Sequence, residues 1–184
     1  MAKEMPIPNG YSGRPSMRII AVPTLSNLTF SATISGYLAD VHTRLLSAPP
    51  ARIADIDCGC GETTLDVALA YSKARIDGYD RDGAAIESAW AGARRAGVTD
   101  RVTFHVRSVT DGTLNGRYDF LISVRTLQGI EKAWETLKTM RCLLASDGIA
   151  IILANLDDAG DLQRTATNAG FFCAEVLPVD GAVR

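Results

Sequence analysis

A glycine-bearing turn follows an apolar run in the stretch IADIDCGCGETT, residues 53–64. Small residues such as Gly59 and Gly61 let backbone N–H groups approach a ligand, and the N-terminus of a following helix favours negative charge. Asp80 closes the next apolar stretch, residues 76–80, nineteen residues after Gly61. A carboxylate at that place can accept hydrogen bonds from both hydroxyls of a ribose. Together these residues predict a nucleotide site.

Strand and helix patterns alternate from residue 52 onward, and they would position this site. Apolar runs predict strands at 53–57, 75–80, 102–106, 118–123, 149–154 and 171–177. Apolar faces predict helices beginning near residue 65 and at 82–96, 132–144 and 162–169. Strands that alternate with helices imply an α/β fold, in which a doubly wound, mostly parallel sheet carries helices on both faces. Ligands of such sheets bind beyond the carboxyl ends of the strands.

The first part of the chain differs in composition, because six of the seven prolines lie in residues 1–50. We expect residues 1–34 to form an N-terminal arm and residues 35–184 to form the ligand-binding domain. Residues 17–34 are fairly apolar and fit either a short strand or an arm packed on the body. Residues 35–47 have the apolar spacing of a helix face.

Composition narrows the class of function. The net charge of −2 gives no general attraction to nucleic acid or to an anionic membrane. The chain shows no secretory signal and no apolar run long enough for a membrane span, so we expect a cytoplasmic protein. The four cysteines do not form paired C-x-x-C motifs, so we expect reduced thiols and no metal site.

The glycine spacing bears on the choice of nucleotide. A dinucleotide fingerprint needs glycines in the pattern G-x-G-x-x-G. Counted from Gly59, the third position is Thr64. A nicotinamide-dependent oxidoreductase is therefore the least favoured of the nucleotide-binding classes.

The arrangement resembles the class I S-adenosylmethionine-dependent methyltransferases. The first motif of that family has an acid, then glycines at alternate positions; here Asp55 is the acid and Gly59 and Gly61 are the last two glycines. Asp80 matches the acid that closes the second strand of the family. Later segments that resemble family strands and helices lie at 96–104, 118–122, 141–153 and 168–171. The likeness covers about residues 40–178.

The resemblance implies a Rossmann-like methyltransferase fold with S-adenosyl-L-methionine as its cofactor. Asp55 would help to anchor the methionine end, and the backbone of 57–61 would cradle the amino-acid part. Asp80 would hold the ribose, while Arg81 would lie beside the adenine. The implied cofactor contacts are, in chain order, Asp55, Asp57, Cys58, Gly59, Gly61, Asp80, Arg81, Ser108, Val109 and Ser123.

Three features depart from the family pattern. Asp57 replaces a glycine, although aspartate tolerates left-handed backbone better than most residues. Ser108 stands where the family usually has an acid that meets the adenine. The last, antiparallel strand of the family has no obvious counterpart after residue 177. Three alternatives remain for the open end of the site: residues 1–47 supply a lid, a homodimer or partner chain covers it, or the site stays open.

We therefore predict a methyltransferase that acts on a small molecule. The stretch 123–126 lacks the Asn/Asp-Pro-Pro-aromatic motif of many enzymes that methylate nucleobases or glutamine, so we expect no nucleic-acid substrate. No catalytic residue is assigned, and His42 and His105 are the candidate bases. The alternative is a non-catalytic domain with a degenerate methyltransferase fold, which binds S-adenosylmethionine or a protein partner.

Overall fold

The computed structural model describes residues 15–22, 29–108, 117–124 and 130–178. Its strands are β1 Ser16–Val22, β2 Arg52–Ile56, β3 Arg75–Asp80, β4 Val102–Val106, β5 Tyr118–Val124, β6 Leu144–Asn155 and β7 Ala174–Pro178. Its helices are α1 Phe30–Tyr37, α2 Ala39–Leu46, α3 Glu62–Ala70, α4 Gly83–Ala96, α5 Ile130–Leu143 and α6 Leu156–Asn168. The predicted alternation of strands and helices is confirmed.

The seven strands form one sheet in the order β4-β3-β2-β5-β6-β1-β7. Every strand pair in the described part of the chain is parallel. The chain builds outward from β2 through β3 to β4, and it then returns to the other side of β2 to begin β5. The carboxyl ends of β2 and β5 therefore flank the point at which the strand order reverses, where open α/β sheets bind ligands.

Helices cover both faces of the sheet, which confirms the doubly wound architecture. Residues of α1 to α4 share a buried core with one face, for example Val41 of α2 and Val67 of α3. Residues of α5 and α6 share a second core with the other face, for example Leu137 and Leu162. Strands buried on both faces need almost continuous apolar sequence, as β6 shows with its run from 149 to 153.

The N-terminal strand β1 lies inside the sheet, between β6 and β7. Its register pairs Ser16 with Ile149 and Met17 with Ala174, and Ile19 and Ile20 are fully buried. The sequence left open whether this segment forms a short strand or an arm packed on the body; residues 16–22 form a strand. Helix α1 then crosses residue 34, where the predicted arm meets the predicted domain. The helix expected at 35–47 is divided into α1 and α2, because the backbone leaves the helical region at Leu38.

No antiparallel strand occurs in the described sheet, as the sequence predicted. Beside β6, on the side away from β5, the sheet continues with β1 of the same chain in parallel orientation. Arg18 of β1 is 7% exposed, and its guanidinium lies 2.9 Å from the Glu175 carboxylate of β7 and 3.7 Å from the Asp40 carboxylate of α2. A buried guanidinium needs such anionic partners, and the two ion pairs connect β1 to β7 and to α2.

Helix α4 begins shortly after the end of β3, and both of its ends are capped. The Asp82 carboxylate accepts hydrogen bonds from the N–H groups of Ala84 and Ala85, at 2.9 and 3.3 Å. Gly97 ends the helix in the left-handed conformation, with φ of 67°. Among the helices that the structure describes, none combines the length and apolar character required to cross a bilayer.

Candidate functional site

The turn between β2 and α3 is built from left-handed residues. Asp57, Gly59 and Gly61 have φ angles of 53°, 54° and 79°. Asp57 is the only residue other than glycine with a positive φ in the described part of the chain, and the turn keeps its shape with this aspartate in it. Aspartate at the position of the family glycine thus takes up left-handed backbone.

Three backbone N–H groups of this turn donate within the protein. The Cys58 N–H donates to the carbonyl of Tyr79 at 3.0 Å, and the Gly61 N–H donates to the carbonyl of Cys58 at 2.9 Å. The Gly59 N–H donates to a carboxylate oxygen of Asp80 at 2.8 Å. The sequence predicted that N–H groups of this turn would approach a ligand, whereas these three already have partners. Such a turn has fewer free donors for a phosphate than a phosphate-binding loop.

Asp80 joins the turn to the start of helix α4. Its Oδ2 accepts the bond from Gly59, and its Oδ1 accepts a bond from the N–H of Asp82 at 2.9 Å. A carboxylate offers about four lone-pair positions, so about two remain for a ligand. The residue predicted to hold a ribose therefore also shapes the loop around it.

Asp55 lies beneath the turn rather than on its surface. It is 1% exposed, and its Oδ2 accepts a hydrogen bond of 2.5 Å from the hydroxyl of Thr64. Burial raises the pKa of Asp55 to about 7; the Thr64 bond opposes this rise, and the nearby charges of Asp57 and Asp80 add to it. Sequence reasoning missed the role of Thr64, although its place in the first turn of α3 was a usable signal.

Replacing Asp55 by asparagine is expected to change how stability depends on pH. The carboxyl pKa is about 7 in the folded chain and about 4 when unfolded, so the folded chain binds the proton more tightly. The resulting stabilisation is present below pH about 4 and is lost as the pH rises through about 7. Between pH 5.5 and 7.5, the wild type should lose about 2 kcal/mol of unfolding free energy relative to Asp55→Asn. Urea unfolding at several pH values measures this; parallel curves would contradict it.

An aromatic ring supports the turn from below. Phe104 of β4 is 4% exposed and packs against two glycines. A Cβ on Gly61 would lie 2.8 Å from its Cζ, and a Cβ on Gly78 would lie 2.5 Å from its Cδ1. Real Cβ atoms do not approach so closely, so both positions require glycine while Phe104 is present. No local sequence pattern indicates this role of Phe104.

The rim of the site is acidic. Partial desolvation of Asp57 by the turn and the charge of Asp80 raise its pKa, and the exposed guanidinium of Arg81 partly opposes this rise. Burial, together with the surrounding carboxylates, raises the pKa of the Cys58 thiol, which therefore stays protonated at neutral pH. All four cysteines are free thiols, as predicted.

The remaining predicted contacts follow β4 and β5. Ser108 lies just beyond β4 and is half-buried. Ser123 lies near the end of β5, opposite Ile56, and is fully buried. Within the described residues, the Ser123 hydroxyl has no hydrogen-bond partner. Val109 lies outside the described residues.

The two candidate bases are held by other side chains. Nδ1 of His42 lies 2.9 Å from the Tyr71 hydroxyl, which is at the end of α3 remote from the turn. Nε2 of His105 lies 3.3 Å from a carboxylate oxygen of Asp77, and the His105 ring stacks on Tyr79 at 4.8 Å. These contacts give both histidines structural partners.

Comparison with known proteins assigns this arrangement to a family. The family described as a methyltransferase domain matches residues 51–172, which include the turn, Asp80 and Ser123. Trans-aconitate 2-methyltransferase of Streptomyces avermitilis is 34% identical over 94 residues, which are 50% of this chain and 35% of the relative.

Solved structures show the same fold at low sequence identity. A proposed sarcosine dimethylglycine methyltransferase of Galdieria sulphuraria has a TM-score of 0.63 at 16% identity, over 77% of this chain and 60% of that protein. A proposed O-methyltransferase of Nostoc punctiforme has a TM-score of 0.61 at 20% identity, over 78% of this chain and 53% of that protein. The chain spans about a third of the length of the Streptomyces relative. This chain belongs to the class I S-adenosylmethionine-dependent methyltransferase family.

Proposed function

We propose that this chain is a methyltransferase that uses S-adenosyl-L-methionine and acts on a small molecule. The observation that carries the proposal is the position of Asp80, which holds the glycine turn through Gly59 and keeps lone pairs for a ribose. The family assignment supports the same cofactor.

The residues of the site fit this cofactor better than a phosphate ligand. S-adenosylmethionine carries a sulfonium and an ammonium, whereas a dinucleotide carries a pyrophosphate. The N–H groups of Cys58, Gly59 and Gly61 have partners within the protein, and carboxylates line the turn. A Cβ built on Gly59 would meet nothing within 4 Å, so the turn has open space beside it. Acceptors beside open space suit a cationic ligand.

Each residue would make a distinct contribution to binding. Asp80 would accept hydrogen bonds from the ribose hydroxyls. The backbone of 57–61 would cradle the amino-acid end, and the buried Asp55 would support the turn from beneath through its hydrogen bond with Thr64. When bound, S-adenosylmethionine supplies a methyl group on a good leaving group, so the protein contributes chiefly proximity and alignment.

A small acceptor is the preferred substrate class. The net charge of −2 does not favour a polyanionic substrate. The Streptomyces relative is named for its action on trans-aconitate, a small carboxylic acid, so carboxylic acids are the first acceptors to try.

The function is tested with S-adenosylmethionine that carries a labelled methyl group. The protein is first titrated calorimetrically with the cofactor and with NAD, and it is then incubated with a panel of small acids, amines and phenols. We expect micromolar binding of S-adenosylmethionine, no binding of NAD, and labelled product from one acceptor class. Cofactor binding without transfer to any acceptor would favour the non-catalytic alternative, and no cofactor binding would overturn the proposal.

A further inference from the structure

We propose that Asp57 is a specificity residue that makes the site prefer S-adenosylmethionine over its demethylated product, S-adenosylhomocysteine. This inference rests on the proposed function. It concerns a side chain that the family pattern does not supply, since a glycine usually stands at this position.

The position of Asp57 places a charge at the mouth of the site. It directly follows β2, and its neighbour Ile56 pairs with Ser123 of β5 across the point at which the strand order reverses. Its side chain is exposed at the mouth, while Asp55 lies buried below it. An added carboxylate here acts on any ligand that enters this crevice.

More carboxylates than cations act on Asp57. Asp80 and Asp55 are close enough to influence the Asp57 carboxylate, and Arg81 is the cation that influences it. Three N–H groups of the turn donate to other acceptors: those of Cys58 and Gly61 donate to carbonyls, and that of Gly59 donates to Asp80. The mouth therefore attracts positive charge.

A second observation indicates that this edge of the sheet receives a polar ligand. The hydroxyl of Ser123 is fully buried, one strand away from Asp57, and it finds no hydrogen-bond partner in the part of the chain that the structure describes. A buried hydroxyl without a partner is unfavourable for folding, so its presence here requires another reason. That reason would be a bound ligand: a polar group of the ligand, held at the ends of β2 and β5, would form the missing hydrogen bond.

The two ligands differ by one positive charge. Methyl transfer breaks the bond between the sulfur and the methyl carbon, forms a bond from that carbon to the acceptor, and leaves a neutral thioether. The ammonium and the ligand carboxylate are the same in both molecules. A carboxylate at the mouth therefore strengthens binding of the sulfonium form selectively, and release of the product becomes easier.

The test measures the ratio of the two dissociation constants by calorimetry at pH 8 and low salt. Asp57→Asn keeps the size and the tolerance for left-handed backbone but removes the charge. We expect the preference for S-adenosylmethionine to fall about tenfold in this variant, an effect of one charge at the rim of a site. Arg81→Gln is the matched control, because it removes a positive charge beside Asp57. It should raise the preference for S-adenosylmethionine or leave it unchanged.

The outcomes separate this inference from the proposed function. If the wild type binds neither ligand, the proposed function fails. If the wild type binds both and Asp57→Asn weakens both equally or neither, the cofactor assignment stands and the role of Asp57 is wrong. A fall in the ratio for Asp57→Asn that disappears in high salt supports the electrostatic origin, because salt screens exposed charges. Thermal unfolding of each variant without ligand shows that it is folded.

Discussion

Replacing Gly78 by alanine is expected to lower the free energy of unfolding by about 3 kcal/mol, as for overpacking in a dense core. The added Cβ would lie 2.5 and 2.7 Å from Cδ1 and Cε1 of Phe104, and 3.1 Å from Sγ of Cys58. The Phe104 ring cannot move toward the turn, because it already touches Gly61. Equilibrium unfolding in urea, followed by circular dichroism, measures the loss.

The control for this prediction is Gly36→Ala, in helix α1. A Cβ there would meet nothing within 4 Å, so the change should be neutral or should stabilise by about 0.5 kcal/mol through helix propensity. Phe104→Leu gives a second check, since a smaller side chain should relieve the clash. In the Phe104→Leu background, Gly78→Ala should cost clearly less than in the wild type. Equal unfolding midpoints for Gly78→Ala and Gly36→Ala would show that the ring does not constrain this glycine.

Replacing Asp80 by alanine is expected to weaken binding of S-adenosylmethionine about 100-fold. The change removes the acceptors that hold Gly59 and Asp82 and, under the proposed function, those that meet the ribose hydroxyls. Losing two hydrogen bonds to a charged acceptor, together with the shape of the loop, accounts for an effect of this size. Calorimetric titration measures the dissociation constant.

Two other variants separate the possible causes of a loss at Asp80. Glu87→Ala removes the same charge from an exposed position on α4 and should change the affinity less than twofold. Asp80→Asn keeps one carbonyl acceptor and should give an intermediate affinity. If Asp80→Ala and Glu87→Ala bind S-adenosylmethionine with the same dissociation constant, Asp80 does not contact the cofactor, and its role is limited to the loop.

Much of the site could be predicted from short stretches of sequence. The limits of β3 and β4 agree with the predicted strands at 75–80 and 102–106. The left-handed turn at Asp57 and the place of Asp80 at the end of β3 also follow from local patterns. Strand alternation, glycine turns and helix caps involve residues only a few positions apart, so one sequence is enough to reveal them.

Other parts of the site depended on contacts between distant residues. Nothing near Phe104 indicated that its ring lies under both Gly61 and Gly78. The bond from Thr64 to Asp55 needs the helix to pack back over the strand, whereas the glycine spacing marks Thr64 only as the third position of a dinucleotide pattern. The engaged N–H groups of the turn likewise depend on β3, which supplies two of their acceptors.

By itself, the sequence determined the α/β class, the glycine turn and the acid that closes the second strand of the motif. These features arise from backbone preferences and apolar periodicity, which act locally. Only the tertiary structure decided that β1 enters the sheet between β6 and β7. An apolar segment can pair with any open edge, and its partner is selected by the packing of the whole sheet and by the ion pair of Arg18 with Glu175.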